Sequence, residues 1–170
     1  MASLAGWRFC PRCASPLAVD KGEAACSSCG FTAYAQSAPA VAAFIVEDGR
    51  TLLGLRAHEP DAGRWDLLGG FLEEGEAPLD GLRRELLEET GLEVEPGAYL
   101  GAYVDSYGED GTAVLNLVFE ARVLGGDMAP ADDVAELRWF DLAQLPPPDE
   151  LAFTWVARFL GDVEAKLSSR

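Results

Sequence analysis

The sequence predicts an α/β fold with a small metal-binding module at its N-terminus, and three observations support it. All four cysteines fall within residues 10–29 as two CxxC pairs. Five short apolar segments between turn residues read as strands, and two longer segments carry apolar residues at helical spacing.

The cysteine module comes first in the chain. Cys10-Pro-Arg-Cys13 and Cys26-Ser-Ser-Cys29 are separated by twelve residues, a spacing that holds one zinc tetrahedrally through thiolates. The alternatives are two disulfides or a redox-active pair. A bond within CxxC cross-links little, a cytosolic setting disfavours structural disulfides, and no thioredoxin-type strand–helix context surrounds either pair. The module is expected to span residues 1–36 and to depend on its metal for folding. Residues 31–39 read as a linker, and a second domain is expected over 37–170.

Val41 to Val46 and Thr51 to Ala57 read as two antiparallel strands joined at Asp48-Gly49, a strong hairpin signal. Trp65 reads as core. His58, the only histidine, reads as an incidental loop residue. Pro78 to Thr90 reads as a helix, with proline at its first position and Gly91 just past its end. Leu79, Leu82 and Leu86 form its expected core stripe. Val94–Val104, Val114–Val123 and Val134–Phe140 read as strands, and Asp149–Lys166 reads as a last helix packed through Leu151, Trp155, Phe159 and Val163.

On the first helix Glu85, Glu88 and Glu89 share a face about a quarter-turn from the stripe. Like charges at i, i+3 and i+4 oppose one another by roughly 0.2–0.5 kcal/mol per pair. Three such carboxylates beside an apolar stripe suit a hard divalent cation that prefers oxygen ligands. The plain alternative is a solvated outer face.

The surroundings decide between them. Gly70, Glu76, Arg84, Glu85, Leu86, Glu88, Glu89, Gly91 and Leu92 stand at the spacing G-x5-E-x7-R-E-L-x-E-E-x-G-L. At every defined position this stretch resembles the signature box of the Nudix hydrolases. The resemblance implies an α/β/α sandwich with a mixed sheet, plus an N-terminal zinc ribbon. It also implies magnesium- or manganese-dependent hydrolysis of a nucleoside diphosphate linked to another group. Divalent ions neutralise phosphate oxygens, orient the bond and lower the pKa of a bound water. Glu85 and Glu89 are the expected main ligands and Glu88 the third ligand or a partner of bound water. The resemblance adds the Gly70 carbonyl as a ligand and makes Arg84 and Glu76 positioning residues, with Arg84 also spaced to pair with Glu88. It makes Arg56 an arginine that can reach substrate phosphate. Asp105, Glu109 and Asp110, in the polar turn 105–112, are candidates for a further carboxylate, as base or substrate contact. The chain has Leu68-Gly69-Gly70 where the family often has Pro-Gly-Gly.

A zinc ribbon ahead of such a domain is similar to the NADH pyrophosphatase arrangement, but residues 93–123 lack that group's SQPWPFP-type stretch. The ADP-ribose pyrophosphatases are marked by a proline further downstream of the box than Pro96; ADP-ribose or a related nucleotide sugar is the first substrate class expected, NADH the second and a nucleoside triphosphate the third. The rival reading is a non-catalytic nucleotide sensor of the same fold that uses the ribbon for protein contacts; such regulators usually lose box glutamates, and this chain keeps them.

Composition sets the limits. Hydrophobic content of 49% with 25% charged residues suits a soluble globular protein. No apolar run approaches the roughly 20 residues of a membrane span, and the N-terminus lacks a signal-peptide pattern, so a cytoplasmic protein is expected. A net charge of −16 argues against a nucleic-acid partner, since that affinity comes mainly from Lys and Arg on phosphates. Only Arg8, Arg12 and Lys21 are basic near the ribbon, which is assigned to folding or to contact within a homodimer.

Overall fold

The structure, a computed structural model, describes residue 4 and residues 6–109 and 111–168, the last two without their side chains. Among these residues the chain divides into two compact units. One comprises the N-terminal stretch to Ala38 with Ser106–Val114, the other Pro39–Asp105 with the chain from Leu115 onward.

The first unit contains a three-stranded antiparallel sheet of β1 (Ala18–Asp20), β2 (Glu23–Ala25) and β3 (Thr32–Tyr34). Sequence reading took residues 31–39 for a linker. Instead, Thr32, Ala33 and Tyr34 pair with Ala25, Ala24 and Glu23. A three-residue strand is too short to show an alternation, and its pairing depends on the turn that the second CxxC imposes.

The second unit is a mixed sheet between two helices. β4 (Ala38–Glu47) and β5 (Arg50–Arg56) form the expected hairpin, with Asp48 at φ +49° and Gly49 at φ +75°. Two positive φ values are what a type I′ turn requires. β6 (Trp65–Asp66) pairs with β5, and β7 (Leu92–Tyr107) and β8 (Thr112–Gly126) extend the sheet beyond β4. β9 (Val134–Asp141) pairs along β5.

β4 explains why its sequence is apolar without alternation. Val41, Ala43 and Ile45 face one core, shared with Leu82 and Leu86 of α1 (Pro78–Thr90). Ala42 and Phe44 face the other, shared with Trp155, Val156 and Phe159 of α2 (Thr154–Ser168). A strand covered on both faces reads as a continuous apolar run. Trp65 lies in the second core, edge-on to Phe140.

Two helix expectations need correcting. Leu79 is exposed, and the buried residues of α1 are Gly81, Leu82, Leu86, Glu89 and Thr90. The inward face is thus rotated onto Glu89 itself. α2 begins at Thr154, not Asp149, after a 3₁₀ turn over Pro148–Glu150. Leu151 still packs in the core, but it forms a bridge with Trp65 and is not helical.

The start of α2 is fixed by Asp105. Its Oδ2 accepts hydrogen bonds from the Thr154 hydroxyl (2.7 Å) and the Trp155 N–H (3.0 Å). A carboxylate at that end of a helix satisfies N–H groups that have no intrahelical partner. Asp105→Ala is expected to lower stability by about 0.5–2 kcal/mol, read from the denaturant midpoint at constant slope. Among the described residues no helix is long and apolar enough to cross a membrane.

Candidate active site and zinc centre

The box is held in place by backbone pairing before any side chain is considered. The segment 68–72 runs antiparallel beside β4: Val41 N–H donates to the Gly70 carbonyl (2.9 Å) and Ala43 N–H to the Leu68 carbonyl (2.8 Å). α1 then brings its glutamates up to this segment.

The two glycines have distinct physical reasons. Gly69 has φ +140°, and a Cβ there would meet the Val41 carbonyl oxygen at 2.2 Å. A Cβ on Gly70 would lie 2.6 Å from the Glu85 carboxyl carbon. The carboxylate of Glu85 therefore rests directly against the Gly70 backbone. On the neighbouring residue, Gly69 N–H donates to Glu89 Oε2 at 2.8 Å.

Arg84 organises the outer side. Its Nε and Nη2 form a fork onto the two oxygens of Glu76, each at 2.8 Å. Nη1 donates to Glu85 Oε1 (2.8 Å) and Glu88 Oε2 (3.0 Å), and Nη2 also donates to the Phe71 carbonyl (3.1 Å). Hydrogen bonds from Arg84 hold Glu76 down at about 2, and Glu76 in turn raises Arg84. Sequence spacing foresaw only the pair with Glu88.

The glutamates differ in environment. Glu88 is exposed and Glu85 half-buried, whereas Glu89 is 5% exposed. Burial raises Glu85 above the ordinary carboxylate range, against the pull of Arg84. Burial and then the negative charge of Asp133 push Glu89 well above it. Asp133 escaped the sequence reading because it lies 44 residues beyond Glu89, outside the box and just ahead of the strand Val134–Phe140. Ala131 N–H and Ala129 N–H donate to the Glu89 and Thr90 carbonyls (2.9 Å each), so the loop closes the C-terminal end of α1 and delivers Asp133. The Asp132-Asp133 pair just ahead of β9 was the available signal.

This donor set fits a hard divalent cation. Buried carboxyl groups that face one another are unfavourable as anions and favourable as oxygen ligands. The Gly70 carbonyl keeps a second lone pair beyond the bond from Val41. Asp105 caps α2, Glu109 is exposed in the β7–β8 turn, and Asp110 lies outside the described residues. Arg56 donates to the Pro60 carbonyl (2.8 Å) and Asp66 Oδ2 (3.3 Å).

In the first unit the cysteine Sγ atoms all lie within 4.8 Å of one another, with Cys10–Cys29 and Cys13–Cys26 each at 3.6 Å. Disulfide sulfurs would be about 2.0 Å apart, whereas tetrahedral zinc at a Zn–S length of about 2.3 Å places them about 3.8 Å apart. Hydrogen bonds from Ser15 hold the Cys13 thiol down at about 6, while Cys29 is pushed up to about 12, in part by burial and by the neighbouring cysteine thiols. Among the described residues this is the only metal-sized cluster of His, Cys, Asp and Glu so tightly gathered.

A family model of the NUDIX domain matches residues 36–160. The chain belongs to the Nudix family. It is 37% identical over 123 residues to the ADP-ribose pyrophosphatase of Methanocaldococcus jannaschii, covering 72% of this chain and 71% of that protein. It is 36% identical over 142 residues to the NAD-capped RNA hydrolase NudC of Chromobacterium violaceum, covering 82% of this chain but 52% of that protein. The chain thus spans about half the length of that relative. A crystal structure of a Nudix hydrolase from Nitrosomonas europaea superposes with a TM-score of 0.77 at 25% identity, covering 94% of this chain and 91% of that one.

Proposed function

We propose that this Nudix protein cleaves the pyrophosphate bond of a nucleoside diphosphate linked to a second group. ADP-ribose or a nucleotide sugar is the first substrate class, and an NAD-type dinucleotide such as NADH the second. The observation that carries the reading is Glu89: a buried carboxyl held by the Gly69 N–H, beside Asp133 and one turn from Glu85. Such a group is costly as a structural element and useful as a ligand.

Glu85, Glu89, Glu88 and the Gly70 carbonyl would hold magnesium or manganese, with Asp133 beside Glu89. The cation supplies charge neutralisation at the phosphates and activation of water. Arg84 and Glu76 fix Glu85 and Glu88 in place, and Arg56 contacts a substrate phosphate. Glu109 is retained as a weaker candidate for substrate contact. Identity with the ADP-ribose pyrophosphatase over most of both chains supports the first substrate class, and identity with the NudC relative supports the second. Retention of every box glutamate speaks against the sensor reading. A panel of ADP-ribose, nucleotide sugars, NADH and nucleoside triphosphates, assayed with magnesium, tests the reading; hydrolysis of triphosphates alone would overturn it.

The ribbon, residues 1–36, is proposed to hold one structural zinc through Cys10, Cys13, Cys26 and Cys29. Cys10→Ser or Cys26→Ser is expected to abolish stoichiometric zinc and the ordered ribbon, read by metal analysis and by amide exchange in residues 8–34. Zinc-free protein with disulfides found by mass mapping would refute this.

A further inference from the structure

Among the described residues Arg56, which lies outside the box, is the cation that borders a cavity shared with the box residue Glu89. Gly69 and Asp133 line the same small cavity. The register of β5 against β9 shifts between Leu55 and Arg56. Such an irregularity re-aims the side chain that follows it. Three contacts then hold the guanidinium: the Pro60 carbonyl on Nε, Asp66 Oδ2 on Nη1, and the Phe153 ring 4.9 Å from Cζ. Two of its five N–H groups are committed in this way.

Neither partner is easily explained by stability. Asp66 is almost buried, and its Oδ1 has no hydrogen-bond partner. A buried ion pair with half the carboxylate unsatisfied is a poor stabiliser compared with packed apolar groups. Burial also raises Asp66 to about 7 in spite of Arg56. Phe153 stands at φ +49°, an uncommon backbone conformation for an aromatic residue, and from there its ring reaches Arg56.

We propose that Asp66 and Phe153 are positioning residues that keep the Arg56 guanidinium preset for a phosphate oxygen of a nucleoside diphosphate. The inference rests on the reading of Arg56 as a substrate contact. A guanidinium fixed by a carboxylate edge and an aromatic face loses little freedom when it meets a phosphate, so affinity is gained through preorganisation. Bidentate phosphate recognition needs a planar fork at a fixed angle, which a guanidinium drawn from solvent would have to find anew.

Calorimetric titration with ADP in magnesium tests this without turnover. Arg56→Ala is expected to weaken ADP binding at least tenfold, and Asp66→Ala and Phe153→Leu at least threefold each. Asp66→Asn should stay within threefold of the unaltered protein, because its amide carbonyl still accepts from Nη1. Combining Phe153→Leu or Asp66→Ala with Arg56→Ala should weaken binding no further than Arg56→Ala alone, since both act through that arginine. Should Asp66→Ala fail to fold, Phe153→Leu decides the matter, because leucine keeps an apolar side chain of most of the volume and removes the ring face. Unchanged affinity in Phe153→Leu, full additivity with Arg56→Ala, or no ADP binding by the unaltered protein would overturn the proposal. Failure of the hydrolase reading looks different: ADP would bind with this mutational pattern while ADP-ribose stayed uncleaved.

Discussion

Glu89→Gln and Glu85→Gln are expected to be nearly inactive and yet as stable as the unaltered protein or more so. Removing one preorganised charge from a site that stabilises a transition state costs on the order of 10²–10³-fold in kcat, and loss of a ligand weakens metal binding in addition. For Glu89 the direction of the stability change follows from its environment. Glutamine keeps an oxygen to accept from the Gly69 N–H and offers an N–H to Asp133 in place of a second acid. The folded-state pKa of Glu89 lies well above its ordinary 4.5, so its stabilising contribution is complete below about pH 4.5 and is lost as pH rises through the folded value. The variant lacks that loss. Its denaturation midpoint should therefore gain on the unaltered protein as pH rises, by at least the ~0.2–0.5 kcal/mol of a relieved like-charge pair. A solvated glutamate would show neither the loss of rate nor this pH-dependent gain.

Gly70→Ala is expected to separate geometry from charge. Its Cβ would lie 2.6 Å from the Glu85 carboxyl carbon and 2.7 Å or less from both carboxyl oxygens. Something must move, and the end of the Glu85 side chain moves more readily than backbone. Folding should change by less than about 1 kcal/mol, within the range of a Gly→Ala replacement at a compatible backbone position. Activity should fall by about 10²-fold, the scale of a 1 Å misplacement in a site. Gly69→Ala should behave differently, because its Cβ would strike the Val41 carbonyl oxygen at 2.2 Å and the backbone itself would have to shift. Loss of fold at 69 and loss of rate at 70, read by thermal melts beside kcat, is the expected contrast.

The parts of the molecule legible in sequence are those set by local spacing. Pro78 and Gly91 mark the ends of α1, Asp48-Gly49 marks the hairpin, and the paired CxxC spacing marks the thiolate cluster. The box was legible because its residues sit within one loop and one helix. What stayed hidden depends on contacts between distant segments. Leu79 was assigned inward and Glu89 to the flank, yet Glu89 is buried, held by the Gly69 N–H and facing Asp133. The first turn of the last helix was placed too early, since the residue that caps it, Asp105, lies 49 positions away from Thr154. Asp66 carries no local signal in the sequence; it meets Arg56 through the pairing of β6 with β5, which sets Asp66 opposite Gly54, two residues before Arg56.

The most direct measurement of the central claim is AMP formation from ADP-ribose as magnesium is titrated into the unaltered protein and into Glu89→Gln under identical conditions. The account predicts no rate without the cation and a saturating rate for the unaltered protein. For the variant it predicts a midpoint at higher magnesium and a plateau that excess cation restores only in part. Superimposable curves for the two proteins, or a rate that persists with the cation chelated, would contradict it.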